Sequence, residues 1–180
     1  MKLLSLFAGV GGIDLAAQWA GIDTVAMVEI EPYCQQVLQK RFPGVKIYDD
    51  VRTVTAERLR QDGIGRIDIV SGGFPCQDVS CAGKQAGFID ADGEITRSGL
   101  WWEMLRIAVD VRARWILAEN VRNLLSIADV RGRKGGTFGH ILRDLAENGY
   151  NATWFCYGAA DVGAPHQRDR VFIVAHAPSE

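Results

Sequence analysis

The sequence predicts a doubly wound α/β domain built on a mostly parallel sheet. Three observations carry that expectation. Short apolar runs alternate with amphipathic stretches along most of the 180 residues, the pattern of a parallel sheet covered by helices. A glycine-rich turn follows the first run. Acidic or otherwise polar residues stand at the ends of several later runs, where ligands sit in open α/β sheets.

Residues 2–7 (KLLSLF) read as a first strand, and 11–21 as a helix that stops at Gly21. A second strand is expected at 24–30 (TVAMVEI). The helix at 32–42 opens with Pro32, which a first helical turn tolerates, and its apolar residues recur at 33, 34, 37, 38 and 42. Strands follow at 45–48 and 66–73. Residues 74–97 show no period, as expected of a functional loop. A helix at 99–111 and a strand at 114–120 (RWILAEN) come next, then a helix at 138–150 closed by Gly149. The last two strands, 151–163 and 170–177, have no helix between them, so they are expected to pair antiparallel. The chain is long enough for one domain, and residues 1–180 are read as a single catalytic and cofactor-binding unit.

Composition narrows the function classes. The formal net charge is −2, which excludes a strongly basic nucleic-acid module but leaves room for a local basic face. Such a surplus occurs between Arg106 and Lys134, as a solvated surface or a phosphate-facing one. The four cysteines, Cys34, Cys76, Cys81 and Cys156, form no C-x-x-C pair and no metal spacing with the histidines. No metal site is therefore expected. The start of the chain turns glycine-rich too early for a signal peptide, and no apolar run approaches a membrane span. The expectation is a cytoplasmic protein with reduced thiols.

The first turn, LFAGVGGIDLA, places Gly9, Gly11 and Gly12 between strand and helix. Glycine there lets a ligand approach the backbone and its N–H groups. Glu29 lies 20 residues beyond Gly9, where a carboxylate can take ribose hydroxyls. Asp50 follows the third strand; it either accepts from the exocyclic amine of an adenine or caps a turn. The turn lacks the full dinucleotide fingerprint and any phosphate-clamping lysine. An adenosine cofactor without a pyrophosphate fits it better.

Cys76 follows Pro75 at the end of the fourth strand, flanked by Gln77 and Asp78. That polar, loop-rooted context suits a nucleophile, whereas Cys34 and Cys156 lie in apolar elements and read as buried structural thiols. No histidine is near enough in sequence to serve Cys76 as a base, so the electrophile must itself be activated. Glu119 ends the next predicted strand behind apolar residues. A carboxyl in such a place has its pKa raised and can donate a proton. Arg168 and Arg170, in GAPHQRDR, add cationic candidates.

The blocks LLSLFAGVGG, VEIEPYC, GGFPCQDVS, LAENVRNLL and GAPHQRDRVFIVA, in this order, resemble the motifs of DNA (cytosine-5) methyltransferases. The resemblance runs over nearly the whole chain. It implies a Rossmann-like methyltransferase fold, S-adenosylmethionine as methyl donor and double-stranded DNA as substrate. It implies that Phe7, Ala8, Gly9, Gly11, Gly12, Glu29, Ile30, Asp50, Val51 and Leu100 line the cofactor pocket. Cys76, aimed by Pro75, becomes the nucleophile on carbon 6 of a flipped cytosine, and Glu119 its proton donor. Arg168 joins the catalytic set, with Gln77, Asn120, Val121 and Arg170 around the base. The loop over 77–97 is expected to close on it. His166 stands where many relatives have glutamine. A target-recognition region and a closing C-terminal segment are not among these 180 residues. A second polypeptide supplying them, or a non-catalytic cofactor-binding remnant, is the corresponding expectation; tRNA is the alternative substrate.

Overall fold

The computed structural model describes residues 1–75, 100–128 and 133–178. Seven strands form one mixed sheet in the order β3-β2-β1-β4-β5-β7-β6. They are β1 (Lys2–Leu6), β2 (Asp23–Val28), β3 (Lys46–Tyr48), β4 (Ile69–Gly73), β5 (Trp115–Val121), β6 (Asn151–Tyr157) and β7 (Arg170–His176). The helices are α1 (Gly12–Trp19), α2 (Pro32–Arg41), α3 (Ala56–Gln61), α4 (Trp101–Asp110) and α5 (Gly136–Glu147). The chain divides into two compact units, Met1–Gly73 with Glu103–Leu117, and Phe74–Trp102 with Ala118–Glu180.

In the first unit, β1 pairs in parallel with both β2 and β4, and β2 pairs in parallel with β3. Leu3, Leu4, Ser5 and Leu6 are buried in succession. A parallel strand covered on both faces shows no alternation, which is why the run looks uniformly apolar. Ala17 of α1 packs with Leu3 and Ile69, joined by the partly buried Ile22 and Trp115. Two short elements escaped the periodicity: a 3-10 turn at Val51–Thr53 and α3. Thr55 caps α3 by accepting from the Arg58 N–H, and Asp110 of α4 accepts from the Ala56 N–H at 2.6 Å. Arg106 donates to the carbonyls of Val51 and Val54 and pairs with Glu103. One charge of the basic segment is therefore spent inside the unit and does not face a phosphate.

Asp14 ties three elements of this unit together. Its carboxylate is buried and accepts from Ser5 Oγ at 3.0 Å and Thr24 Oγ1 at 3.1 Å. Burial raises its pKa above the ordinary carboxylate value, and the hydroxyl donors only partly offset that. The folded state therefore holds this proton at pH values where the unfolded chain has released it. Stability contributed by Asp14 is largest in acid and falls as pH rises from the unfolded pKa through the raised folded one. Asp14→Asn removes the titration. Urea unfolding between about pH 4 and about pH 7 is expected to show a flatter pH dependence in the variant. A steeper one would be the contrary result.

Ser71 of β4, across from Ser5 in register, is fully buried, and its Oγ has no hydrogen-bond partner among the described residues. An unsatisfied buried hydroxyl costs about 1–3 kcal/mol. Ser71→Ala is expected to raise stability by about 1 kcal/mol, read as a higher denaturant midpoint at unchanged slope.

In the second unit, β6 and β7 run antiparallel, as expected, with Asn151 opposite His176 and Tyr157 opposite Arg170. α5 buries Phe138, Ile141 and Leu145. The indole nitrogens of Trp101 and Trp102 both donate to Asp144 Oδ2 at 3.1 Å, fastening the start of α4 to α5. β7 alternates buried and half-buried residues, but β6 does not. Trp154, Phe155 and Tyr157 are 43%, 48% and 53% exposed, so both faces of this edge strand are open. Cys156 is consequently exposed, and Cys34, on α2, is only half-buried. This corrects the expectation that both are buried thiols: an apolar run at an uncovered sheet edge does not bury its members, and α2 buries only Leu38.

Candidate functional site

The first unit holds the glycine turn and two acids. β1 ends at Leu6, and Phe7 takes a left-handed φ of 53°, uncommon for a bulky residue and frequent at functional turns. Ala8 N–H reaches back to the Val28 carbonyl and Gly11 N–H to the Ala8 carbonyl, at 3.0 and 2.9 Å. Arg41 of α2 donates to the Val10 carbonyl at 2.9 Å. The turn is thus fastened on three sides before α1 begins. In front of Gly9 and Gly12 no atom lies within 4 Å of where a β-carbon would stand, so these backbones face open space.

Glu29 lies one residue beyond β2 and is only 8% exposed. Its Oε2 accepts from the Gly9 N–H at 2.7 Å and its Oε1 from the Glu31 N–H at 2.9 Å. It is therefore no idle strand-end carboxylate. Each oxygen keeps a further lone pair with which to take a hydroxyl. Gln35 Nε2 donates to the Glu29 carbonyl at 2.6 Å and holds its backbone. Ile30, 64% exposed, follows directly. Asp50, at the end of β3, caps the 3-10 turn by accepting from the Arg52 N–H, and Val51 behind it is buried. Hydrogen bonds from the Arg52 side chain and then from its backbone N–H, more than its charge, hold the Asp50 carboxyl below the usual range. A glycine turn facing open space, a buried carboxylate with free lone pairs and a second acid at the next strand end fit a nucleoside whose ribose needs acceptors.

The second unit holds the proposed acid chemistry. Glu119 sits near the end of β5 and pairs with Arg170 at the start of β7, Nε to Oε1 at 2.7 Å, with both side chains largely buried. Burial pushes the Glu119 carboxyl above its ordinary pKa. The charge of Arg170 and then that of Arg168 pull it back without cancelling the rise. Both arginines therefore act on one carboxyl, Arg168 from the segment that precedes β7 and Arg170 from its first residue. Arg170 Nη1 also donates to the Asp169 carbonyl, and Arg122 pairs with Asp169 at 3.3 Å.

Asn120 is buried, with both ends of its amide engaged. Its Nδ2 donates to the Phe74 carbonyl at 3.1 Å, and its Oδ1 accepts from the Val121 N–H at 2.8 Å. It anchors the residue just before Pro75, while Phe74 itself packs on Trp101 with ring centroids 5.7 Å apart. Pro75, Leu100 and Val121 are half-buried, and Arg168 is exposed. Cys76 and Gln77, and the loop over 77–97, lie outside the described residues. Sequence reasoning missed the supports: Gln35 under Glu29, Arg41 on the glycine turn and Asp144 beneath the two tryptophans. Only Gln35, one turn into α2 after the acid, had a positional signal.

Comparison with known proteins gives the family and the fold. The family model for C-5 cytosine-specific DNA methylase matches residues 1–180. The type II methyltransferase M2.BsuMI of Bacillus subtilis is 35% identical over 179 residues, covering 97% of this chain and 42% of that protein. M.AquIA of Picosynechococcus sp., also a type II methyltransferase, is 30% identical over 187 residues, covering 97% of this chain and 71% of that one. The chain spans about half the length of most of the curated relatives it matches. The Spodoptera frugiperda DNMT2 mutant structure superposes with a TM-score of 0.72 at 21% identity, over 98% of this chain and 50% of that one, which shows the shared Rossmann-like fold. With the motifs, the strand order and a family match from end to end, the chain belongs to the C-5 cytosine-specific DNA methylase family.

Proposed function

We propose that this chain carries the cofactor-binding and catalytic part of a DNA (cytosine-5) methyltransferase, acting on a cytosine flipped from double-stranded DNA. Beyond family membership, the observation that supports it most is Glu119: a carboxyl raised by burial, yet steadied by Arg170. Such a group stays protonated at higher pH than an exposed one and can give its proton to a ring nitrogen.

The steps follow from the residue chemistry. The Cys76 thiolate adds to carbon 6, and the C5–C6 π electrons move into the ring toward N3. Glu119 protonates N3 and neutralises that charge. Carbon 5 is then enamine-like and nucleophilic. S-adenosylmethionine, when bound, supplies a methyl group made electrophilic by its sulfonium. A base, such as water, removes the proton from carbon 5; the electron pair re-forms C5=C6 and expels the thiolate, and N3 returns its proton to the Glu119 carboxylate. Arg168 holds the cytosine and Arg170 braces Glu119, with Gln77 and Val121 around the base. Asn120 serves by fixing Phe74, and so the root of Pro75 and Cys76. A stacked base hides its ring face, which makes flipping necessary.

On the cofactor side, Phe7, Ala8, Gly9, Gly11 and Gly12 form the turn, Glu29 takes the ribose hydroxyls, and Ile30, Asp50, Val51 and Leu100 complete the pocket. A second polypeptide supplying target recognition belongs to this reading, and the open faces of β6 support it. The working compartment is the cytoplasm. No helix among the described residues is long and apolar enough to cross a membrane.

The test is incubation with cofactor and duplex DNA containing 5-fluorocytosine, with and without a candidate partner polypeptide. A covalent adduct that disappears in Cys76→Ala is expected. No adduct under either condition would identify a non-catalytic remnant. Methyl transfer to tRNA alone would reassign the substrate.

A further inference from the structure

Asp50 is not available as it stands. Its Oδ1 accepts from the Arg52 backbone N–H and from Nε, both at 2.9 Å, and its Oδ2 accepts from Nε at 3.1 Å and Nη2 at 2.7 Å. A carboxylate offers about four lone-pair positions. One neighbouring residue aims three N–H groups at them, its backbone N–H, its Nη2–H and an Nε–H shared between the two oxygens. Thr53 Oγ1 holds the Asp50 carbonyl at 2.8 Å, so the turn beneath is fixed. Arg52 itself is not: its side chain is 66% exposed against 27% for Asp50. An exposed guanidinium can swing into water at small cost, because exposed pairs contribute little net stability.

We propose that Arg52 is a specificity-determining residue of the cofactor site: its guanidinium competes with the exocyclic amine of a purine for Asp50. The proposal rests on the S-adenosylmethionine reading. An adenine amine that reaches the carboxylate shares its oxygens with the Arg52 donors or displaces one of them. Arg52 thereby weakens the advantage of an amino-purine over a purine lacking that donor. Removing it leaves a bare carboxylate, a stronger acceptor for an amine and a repulsive neighbour for a carbonyl.

Calorimetric titration of the chain with S-adenosylhomocysteine and with its hypoxanthine analogue, S-inosylhomocysteine, tests this. The readout is the ratio of the two affinities, which cancels effects on the rest of the pocket. In Arg52→Ala the ratio is expected to rise about 2- to 5-fold, the scale of one well-formed exposed pair. Arg52→Lys, which keeps the charge without the fork, is expected to fall between. In the unaltered chain, raising salt from about 0.05 to about 0.5 M is expected to raise the ratio by screening the pair. Arg52→Ala is expected to lack that salt dependence. A ratio unchanged or lowered in Arg52→Ala, with both ligands still binding, overturns the proposal alone. Failure of the unaltered chain to bind either ligand overturns the cofactor reading, and the proposal with it.

Discussion

Glu119→Gln is expected to slow methyl transfer by a factor of about 10² to 10⁴, the usual contribution of a positioned acid. Glutamine keeps the shape and can still donate from its amide, but it cannot give up a proton. The charge that thiolate attack drives onto the ring then stays uncompensated. Fold stability is expected to change far less. Burial makes the ionised Glu119 unfavourable, and its raised pKa means that the fold loses stability as pH rises from the unfolded carboxyl value through the folded one. The variant avoids that cost, though it leaves Arg170 with a neutral partner. Single-turnover methylation separates the roles: the rate falls, while S-adenosylhomocysteine affinity holds. In the unaltered chain the Glu119-dependent step declines with rising pH as the carboxyl loses its proton, and this limb is absent from the variant. Equal losses of rate and cofactor affinity would make Glu119 a structural residue.

The parts of the site legible in the sequence are those where one residue type at one position has few uses. The glycines at the end of β1, Glu29 after β2 and Glu119 after a run of apolar residues were each readable, because strand ends in this architecture face ligands. What resisted reading depends on contacts that no period encodes. α3 has a single buried residue, Leu59, and shows no stripe; its signals were the capping Thr55 and the acidic Glu57 in the first turn. Asn120, next to the acid, reads as a substrate contact, and its bond to the Phe74 carbonyl 46 positions away had no signal in the sequence. Arg52 reads as a surface charge until its four contacts with Asp50 are seen. β6 misled in the opposite sense. Its apolar residues signal strand, but its burial depends on what covers an edge, and local sequence says nothing of that.

Gly11→Ala is expected to be the most damaging small substitution in the first unit. Gly11 caps α1 with φ at +84°, in the left-handed region where a β-carbon costs about 1–2 kcal/mol. Space is the second obstacle. An added β-carbon would stand 2.5 Å from Phe42 Cε2 and 3.0 Å from Leu38 Cδ2. Leu38 is fully buried, so it cannot move aside freely, and the Phe42 ring must rotate away from its place at the end of α2. Overpacking of this kind costs about a further 1–3 kcal/mol. The sum, about 2–5 kcal/mol, is a large share of the stability of an ordinary domain. The same strain reaches the cofactor cradle. Gly11 N–H closes the turn onto the Ala8 carbonyl, and Gly9 N–H beside it holds Glu29. A shifted turn therefore moves both the backbone donors and the carboxylate. Thermal unfolding is expected to show a clear drop in midpoint, and S-adenosylhomocysteine affinity to fall at a temperature where the variant is still folded. Gly12→Ala is the control: its β-carbon meets nothing within 4 Å and its φ is not positive, so it is expected to leave stability nearly unchanged. Comparable losses in both variants would mean that the turn is sensitive to any side chain, and that the contact with Phe42 and Leu38 is not the cause.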